Sequence, residues 1–251
     1  MQNLLAIFIL VLAQRGPTTF PAGPPHDPHD LSGVWLLGRG GGTGTVFSTD
    51  TPSLTAEGMA KLNANKPGFG PRAVVPAFGN DPIGDANPPG LPRMLFYPRP
   101  FQIVQLADKI LEVFEWTRVW REVWTDGRKA PEDPDPKWYG TSIGRWEGDT
   151  FVVETSGLDP RAWLDQWGYP YSEEARLVER YRRADRDNLE LTVTLNDPKF
   201  YTKPWTTEKK IFRLQQKGSP DSELLEVIFA PLDENSFNKR IRNPAGGLIS
   251  K

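Results

Sequence analysis

From Phe101 onward the chain is written as short runs rich in β-branched and aromatic residues, each ended by a tight turn signal, and this repeat constrains the fold more than any other feature. Phe101 to Leu106 faces Ile110 to Trp116 across Ala107-Asp108-Lys109. Thr117 to Trp124 continues that second strand or follows a bulge, and Thr125-Asp126-Gly127-Arg128 turns the chain. Ser142 to Trp146 and Thr150 to Thr155 flank Glu147-Gly148-Asp149, while Arg176 to Ala184 and Leu189 to Asn196 flank Asp185-Arg186-Asp187. Thr206 to Gln215 and Glu223 to Ala230 give a last pair, and Leu31-Ser32-Gly33-Val34-Trp35 opens the series with a strand at Val34. The pattern predicts a mainly β chain of eight to ten antiparallel strands, an up-and-down β-barrel or a strongly curved sheet. Closure is the economical arrangement because it leaves no edge exposed. Nine Trp, six Tyr and thirteen Phe, with 25 Pro and 23 Gly, suit pleated strands and many turns.

One helix is predicted ahead of the strands. Thr55 caps Ala56 to Asn65, Glu57 sits in the first turn, and Pro67 lies just past the end. Residues 66–100, rich in Pro and Gly, read as a long ordered loop of a single domain spanning 31–251. Gly40-Gly41-Gly42-Thr43-Gly44 meets no phosphate-loop spacing and reads as a flexible turn.

Leu4 to Ala13 is a ten-residue apolar run with Val11 and Ala13 at the −3 and −1 positions of a cleavage site. We read residues 1–13 as a signal peptide, with an uncleaved anchor or a misplaced start codon as the alternatives. Residues 14–30 form a Pro-rich tether, and the product is expected to be secreted or periplasmic with no stable membrane span after cleavage. The tether holds both histidines, His26 and His29, so a histidine base or a His-based triad in the folded body is excluded. No metal site and no cofactor motif is expected. Thirty Lys plus Arg against thirty-two Asp plus Glu gives a net charge of −2, without the basic excess a nucleic-acid binder needs.

Two segments carry candidate chemistry. Taken as one strand, Ile110 to Trp124 places Trp116, Arg118, Trp120, Glu122 and Trp124 on one face, an aromatic wall with a fixed charge pair. Pointing inward, that wall would hold a planar or hydrophobic ligand; the alternative is a packed core. The second segment, Asp159 to Ser172, is a long aromatic and polar loop at a strand end, with Trp163 a further candidate ligand contact. Asp165 and Tyr171 there could move protons, with Glu179 on the next strand as partner. The plainer reading pairs Arg161 with Asp165 to fix the loop. Arg180, Arg182 and Arg183 read as a solvated basic face opposite Glu190.

Several of these segments carry a resemblance. Leu31 to Trp35, Thr125 to Arg128, Gly144-Arg145-Trp146-Glu147-Gly148-Asp149-Thr150, the Trp163 to Tyr171 loop, Glu179-Arg180-Tyr181 and Asp197-Pro198-Lys199 to Trp205 resemble a group of uncharacterised secreted bacterial proteins with a predicted lipocalin-like barrel. The likeness covers most of the chain after Leu31 and implies the barrel and export, with no activity attached. Members often place His where this chain has Tyr171 and cysteines near Asn87 and Phe229; this chain has neither. The Gly33-x-Trp35 opening separately resembles the first strand of lipocalins.

Two functions follow from these residues. The first is an exported barrel whose partner is a small hydrophobic or aromatic molecule held in an aromatic-lined cavity. The second is a cofactor-independent hydrolase, lyase or isomerase with Asp165 and Glu179 as acid and base, Tyr171 assisting and Arg118 stabilising charge.

Overall fold

A computed structural model of the chain describes residues 25–38, 45–75 and 78–227. The signal segment, the tether as far as residue 24 and the Gly40 to Gly44 loop fall outside the described residues. The strands are β1 (Gly33–Leu37), β2 (Phe101–Gln105), β3 (Lys109–Phe114), β4 (Trp120–Trp124), β5 (Thr141–Glu147), β6 (Thr150–Ser156), β7 (Arg176–Arg183), β8 (Asn188–Asn196), β9 (Trp205–Thr206) and β10 (Lys210–Leu214). Helix α1 (Ala56–Ala64) precedes β2, and the Thr55 hydroxyl accepts the Gly58 N–H at 3.0 Å, which is the expected cap.

Each strand pairs with the next from β1 to β8, and β10 pairs with both β8 and β1. Nine strands therefore close into a barrel, with β9 added to the same edge of β8 beyond β10. An odd ring cannot alternate direction all the way round, so one neighbouring pair must run parallel. That pair is β4 with β5, joined through two residue pairs, Val123 with Ser142 and Trp124 with Ile143. Parallel neighbours need a returning connection. Residues 125–140 supply it, bridging Leu158 through Lys137 on the way.

The short turns at 106–108, 148–149 and 184–187 share one end of the barrel, and the connections 157–175 and 197–204, with the described residues between β1 and β2, gather over the other. Phe47, Leu95, Phe96, Leu164, Tyr171 and Tyr201 come from those connections and join the same core cluster as Trp35, Phe101, Phe114, Val153, Leu191 and Phe212 of the strands. The barrel is thus packed with side chains and capped at one end. At the turn end His26 and His29 lie against it, Nε2 of each within 3.3 and 3.0 Å of the carbonyls of Arg183 and Gly148, and the His29 ring stacks on Trp146.

Three sequence expectations are corrected by this architecture. Ile110 to Trp124 is two strands, because residues 115–119 form a hairpin turn in which Thr117 and Arg118 take positive φ, 63° and 51°. The inward face consequently switches from even to odd positions: Ile110, Glu112 and Phe114 are buried in β3, but Arg121 and Val123 in β4. Glu223 to Ala230 forms no strand with Thr206 to Gln215 among the described residues. Leu225 instead donates its N–H to Glu115 and Val227 bridges Trp116. Arg183 is buried rather than part of a solvated face, because its strand parity matches Leu177, Glu179 and Tyr181; Arg180 and Arg182 do face solvent.

Candidate ligand-binding site

The inward faces of β3, β4 and β7 bring Glu112, Arg121, Glu179 and Tyr181 together inside the barrel, all at most 3% exposed. All five guanidinium N–H groups of Arg121 find acceptors. Nη1 donates to Glu112 at 3.0 Å and Glu179 at 2.8 Å, Nη2 to Glu179 and Thr155 at 2.8 Å each, and Nε to Ser142 at 3.0 Å. Glu179 is therefore held in a two-point pair, which is the strong form of the interaction. Four strands meet on one side chain, across the seam where the β4–β5 ladder is shortest.

The Tyr181 hydroxyl lies 2.8 Å from Glu179 and 3.0 Å from Glu112. A phenol has one proton and can donate to one of them. The second contact is attractive when the other carboxyl carries a proton and donates to the phenol oxygen. Glu112 fits that role, since burial pushes its carboxyl pKa up, against the pull of Arg121 and with the repulsion of Glu179. Arg121 and the two carboxyls are thus buried together, each at most 3% exposed, with the rise at Glu112 favouring a proton there.

The three proposed proton-transfer residues occupy different surroundings. Asp165 is fully buried and accepts the backbone N–H of Phe47 at 2.8 Å and of Trp167 at 2.9 Å, tying two of the capping connections together. Burial pushes its pKa up, against those hydrogen bonds. It does not pair with Arg161, which instead holds Asp159 and covers the Trp138 ring at 4.5 Å. Tyr171 is fully buried, and its hydroxyl has no hydrogen-bond partner among the described residues. Burial raises its pKa far above the ordinary phenol value. No hydrogen bond or ion pair joins Asp165 or Tyr171 to the Glu179 cluster among the described residues.

The expected aromatic wall is likewise divided. Trp120 is 63% exposed and points out of the barrel. With Glu122 and Trp124 it lines an outer groove of about 350 Å³ beneath the returning connection, together with Trp138 and Tyr139. The Trp124 ring is covered by Lys109 at 4.2 Å and Arg128 at 3.6 Å, so its faces are already occupied by cations of its own chain. Arg118 donates to the Leu224 carbonyl at 3.3 Å, outside the barrel. Trp120→Ala should accordingly change the unfolding free energy by no more than about 0.5 kcal/mol. A loss above about 3 kcal/mol in urea melts, the cost of opening a core cavity, would contradict the outward placement.

Trp116 lies at the capped end and lines a second cavity, of about 290 Å³, with Thr45, Phe69, Arg93, Tyr97, Pro98, Arg99 and Gln166. Its ring stacks on Tyr97 with centroids 5.4 Å apart and planes 21° from parallel. Burial pushes the Tyr97 pKa up, against Arg93. Arg93 is 4% exposed, forms a two-point pair with Asp81 at 2.6 and 2.8 Å, and lies over the Trp163 ring at 5.7 Å. Trp163 therefore backs this wall through Arg93, while Gln166 of the same loop reaches it directly and is held by the Thr45 hydroxyl. The sequence reading missed Arg93, Tyr97 and Arg99. Pro92 and the run to Pro100 mark the chain as ordered there but carry no periodic signal.

Fold and pocket together define a closed nine-strand β-barrel, packed inside, with an aromatic and cationic cavity between its capping connections. No family model, curated protein or solved structure matches the chain. Among the described residues no group of three His, Asp or Glu is placed to hold a metal ion, and no helix is long and apolar enough to cross a membrane.

Proposed function

We propose that the chain is an exported β-barrel protein that binds a small hydrophobic or aromatic molecule, in the capped-end cavity rather than in the barrel interior. The observation that carries this reading is the Trp116–Tyr97 stack lining one concave site with polar groups of Arg93, Arg99 and Gln166. A pocket with aromatic walls and a few polar anchors is the usual form of a small-molecule site. The rigid barrel supports it from below, since the capping connections are packed into the core cluster. Trp116→Ala should lower the unfolding midpoint through loss of the Tyr97 stack yet stay folded at the assay temperature, and should weaken an aromatic ligand at least tenfold by calorimetric titration. Equal affinity in the variant would sink this assignment of the site. The catalytic alternative draws no support from the geometry, because Asp165 and Glu179 hold separate sets of partners.

Export belongs to the same proposal and rests on the Leu4 to Ala13 run and its Val11 and Ala13 cleavage pattern. N-terminal sequencing of protein recovered from the periplasm or medium of a bacterial host should start at or within a few residues of Gln14. Recovery of intact Met1 in the cytosol would overturn it.

A further inference from the structure

We propose that the ligand of the capped-end cavity is an anion, a planar aromatic or unsaturated carboxylate whose acid group meets Arg93 and Arg99 while its ring lies against Trp116 and Tyr97. This rests on the binding reading above and adds the chemical class. The wall contains two arginines and no acidic residue among those described, and of the two Arg99 is the less neutralised, its contact with Glu115 being 3.5 Å against 2.6 Å for Arg93 with Asp81. Asp81 and Glu115 pair with these arginines without lining the cavity.

Both arginines keep donor capacity. Arg93 commits Nη1 and Nη2 to Asp81, and its Nε–H is buried with no acceptor among the described residues. A buried charged donor without a partner costs free energy until an acceptor arrives. Arg99 is half exposed and approaches Glu115 through Nη1 at 3.5 Å, the outer limit for a hydrogen bond. Glu115 is itself committed, since it also accepts the Leu225 N–H at 3.0 Å. A carboxylate can take the open edge of Arg99 and, once a small shift of the Arg93 side chain uncovers it, the Arg93 Nε–H, and charge-assisted bonds to guanidinium are about twice as strong as neutral ones. A neutral amide offers a weaker acceptor and brings N–H donors that meet further N–H donors. A cation would be repelled by both side chains.

The test uses calorimetric titration of the full chain with three matched pairs: cinnamate and cinnamamide, 2-naphthoate and 2-naphthamide, phenylacetate and phenylacetamide. At least one acid should bind ten times more tightly than its own amide, and the gap should narrow at high salt. Arg99→Gln, on a half-exposed side chain, should retain the fold and reduce that preference at least fivefold, the acid losing more affinity than its amide. Arg93→Lys keeps a charge opposite Asp81 but removes the Nε–H, and should narrow the gap as well. Equal binding of acid and amide in every pair would overturn the anion assignment and leave the aromatic pocket standing. Failure of all six compounds to bind would overturn the pocket and the assignment together.

Discussion

Arg121→Met should destabilise the barrel by about 3 to 5 kcal/mol, read as a fall in the urea unfolding midpoint. The guanidinium makes five hydrogen bonds to side chains of β3, β5, β6 and β7 and is 1% exposed. Methionine fills much of the volume, so little of the loss comes from packing. The cost arises from Glu179, Ser142 and Thr155, which are left in the core with acceptors or charge unanswered. The combined change Arg121→Met, Glu112→Leu, Glu179→Leu and Tyr181→Phe, which also removes the hydroxyl that the two carboxyls satisfy, should restore most of the stability, because a buried ion group is worth little against apolar residues of similar size. A loss below about 1 kcal/mol for Arg121→Met alone would show that the network does not hold the barrel together.

Glu112→Gln should flatten the fall in stability with rising pH. The folded-state pKa of Glu112 lies above its unfolded value, so the folded chain retains a proton that the unfolded chain has released. Its stabilisation is complete below the unfolded pKa and is lost as pH rises through the folded one, by up to about 1.4 kcal/mol per pH unit for one proton. The glutamine amide of the variant would donate an N–H to the Tyr181 oxygen at every pH and would have no proton to lose. Asp165, also raised, contributes a residual slope of the same sign. Glu208 works in the opposite direction. Despite partial burial, hydrogen bonds from Thr49 and Ser48 hold its carboxyl down at about 2, so its stabilisation is present above the ordinary carboxyl value and is lost as pH falls toward 2. Denaturation midpoints from pH 3 to 9 should therefore rise and then decline in the parent chain, and the decline should be much shallower in Glu112→Gln. Parallel curves for the two proteins would show that Glu112 is ionised in the fold.

The hairpins were legible because their turns carry Gly or Asp and their strands alternate, as with Glu147-Gly148-Asp149 between β5 and β6. Strand parity also puts Glu179 with Leu177 and Tyr181 on one face, and the structure buries that face. The turn at 115–119 was not legible, since Thr117 and Arg118 adopt a backbone that glycine or asparagine usually signals. That hidden turn reversed the facing of Trp120 and Arg121, so an exposed tryptophan was read as a wall and the buried arginine was passed over. Ser142 and Thr155, polar residues at buried strand positions, were the available clue to a buried cation. The capped-end cavity joins residues 45, 69, 93, 97–99, 116 and 166, and no periodicity records how such loops meet. The parallel β4–β5 pair was equally hidden, because side-chain alternation is the same in either direction.

The short seam between β4 and β5 bears on how the chain selects one alignment over its neighbours. In a hairpin the turn fixes which residue faces which, and from β2 to β4 that information stops at Trp124. A connection as long as residues 125–140 cannot count out a register for β5. A slide of β5 to β10 by two residues along β4 and, at the other seam, along β1 would keep every strand's apolar face inward and so would cost little in burial. It would, however, separate Arg121 from Ser142, Thr155 and Glu179 at once. The guanidinium thus works as an index pin: it makes the correct alignment of the two halves of the barrel the one in which every buried charge finds its answer.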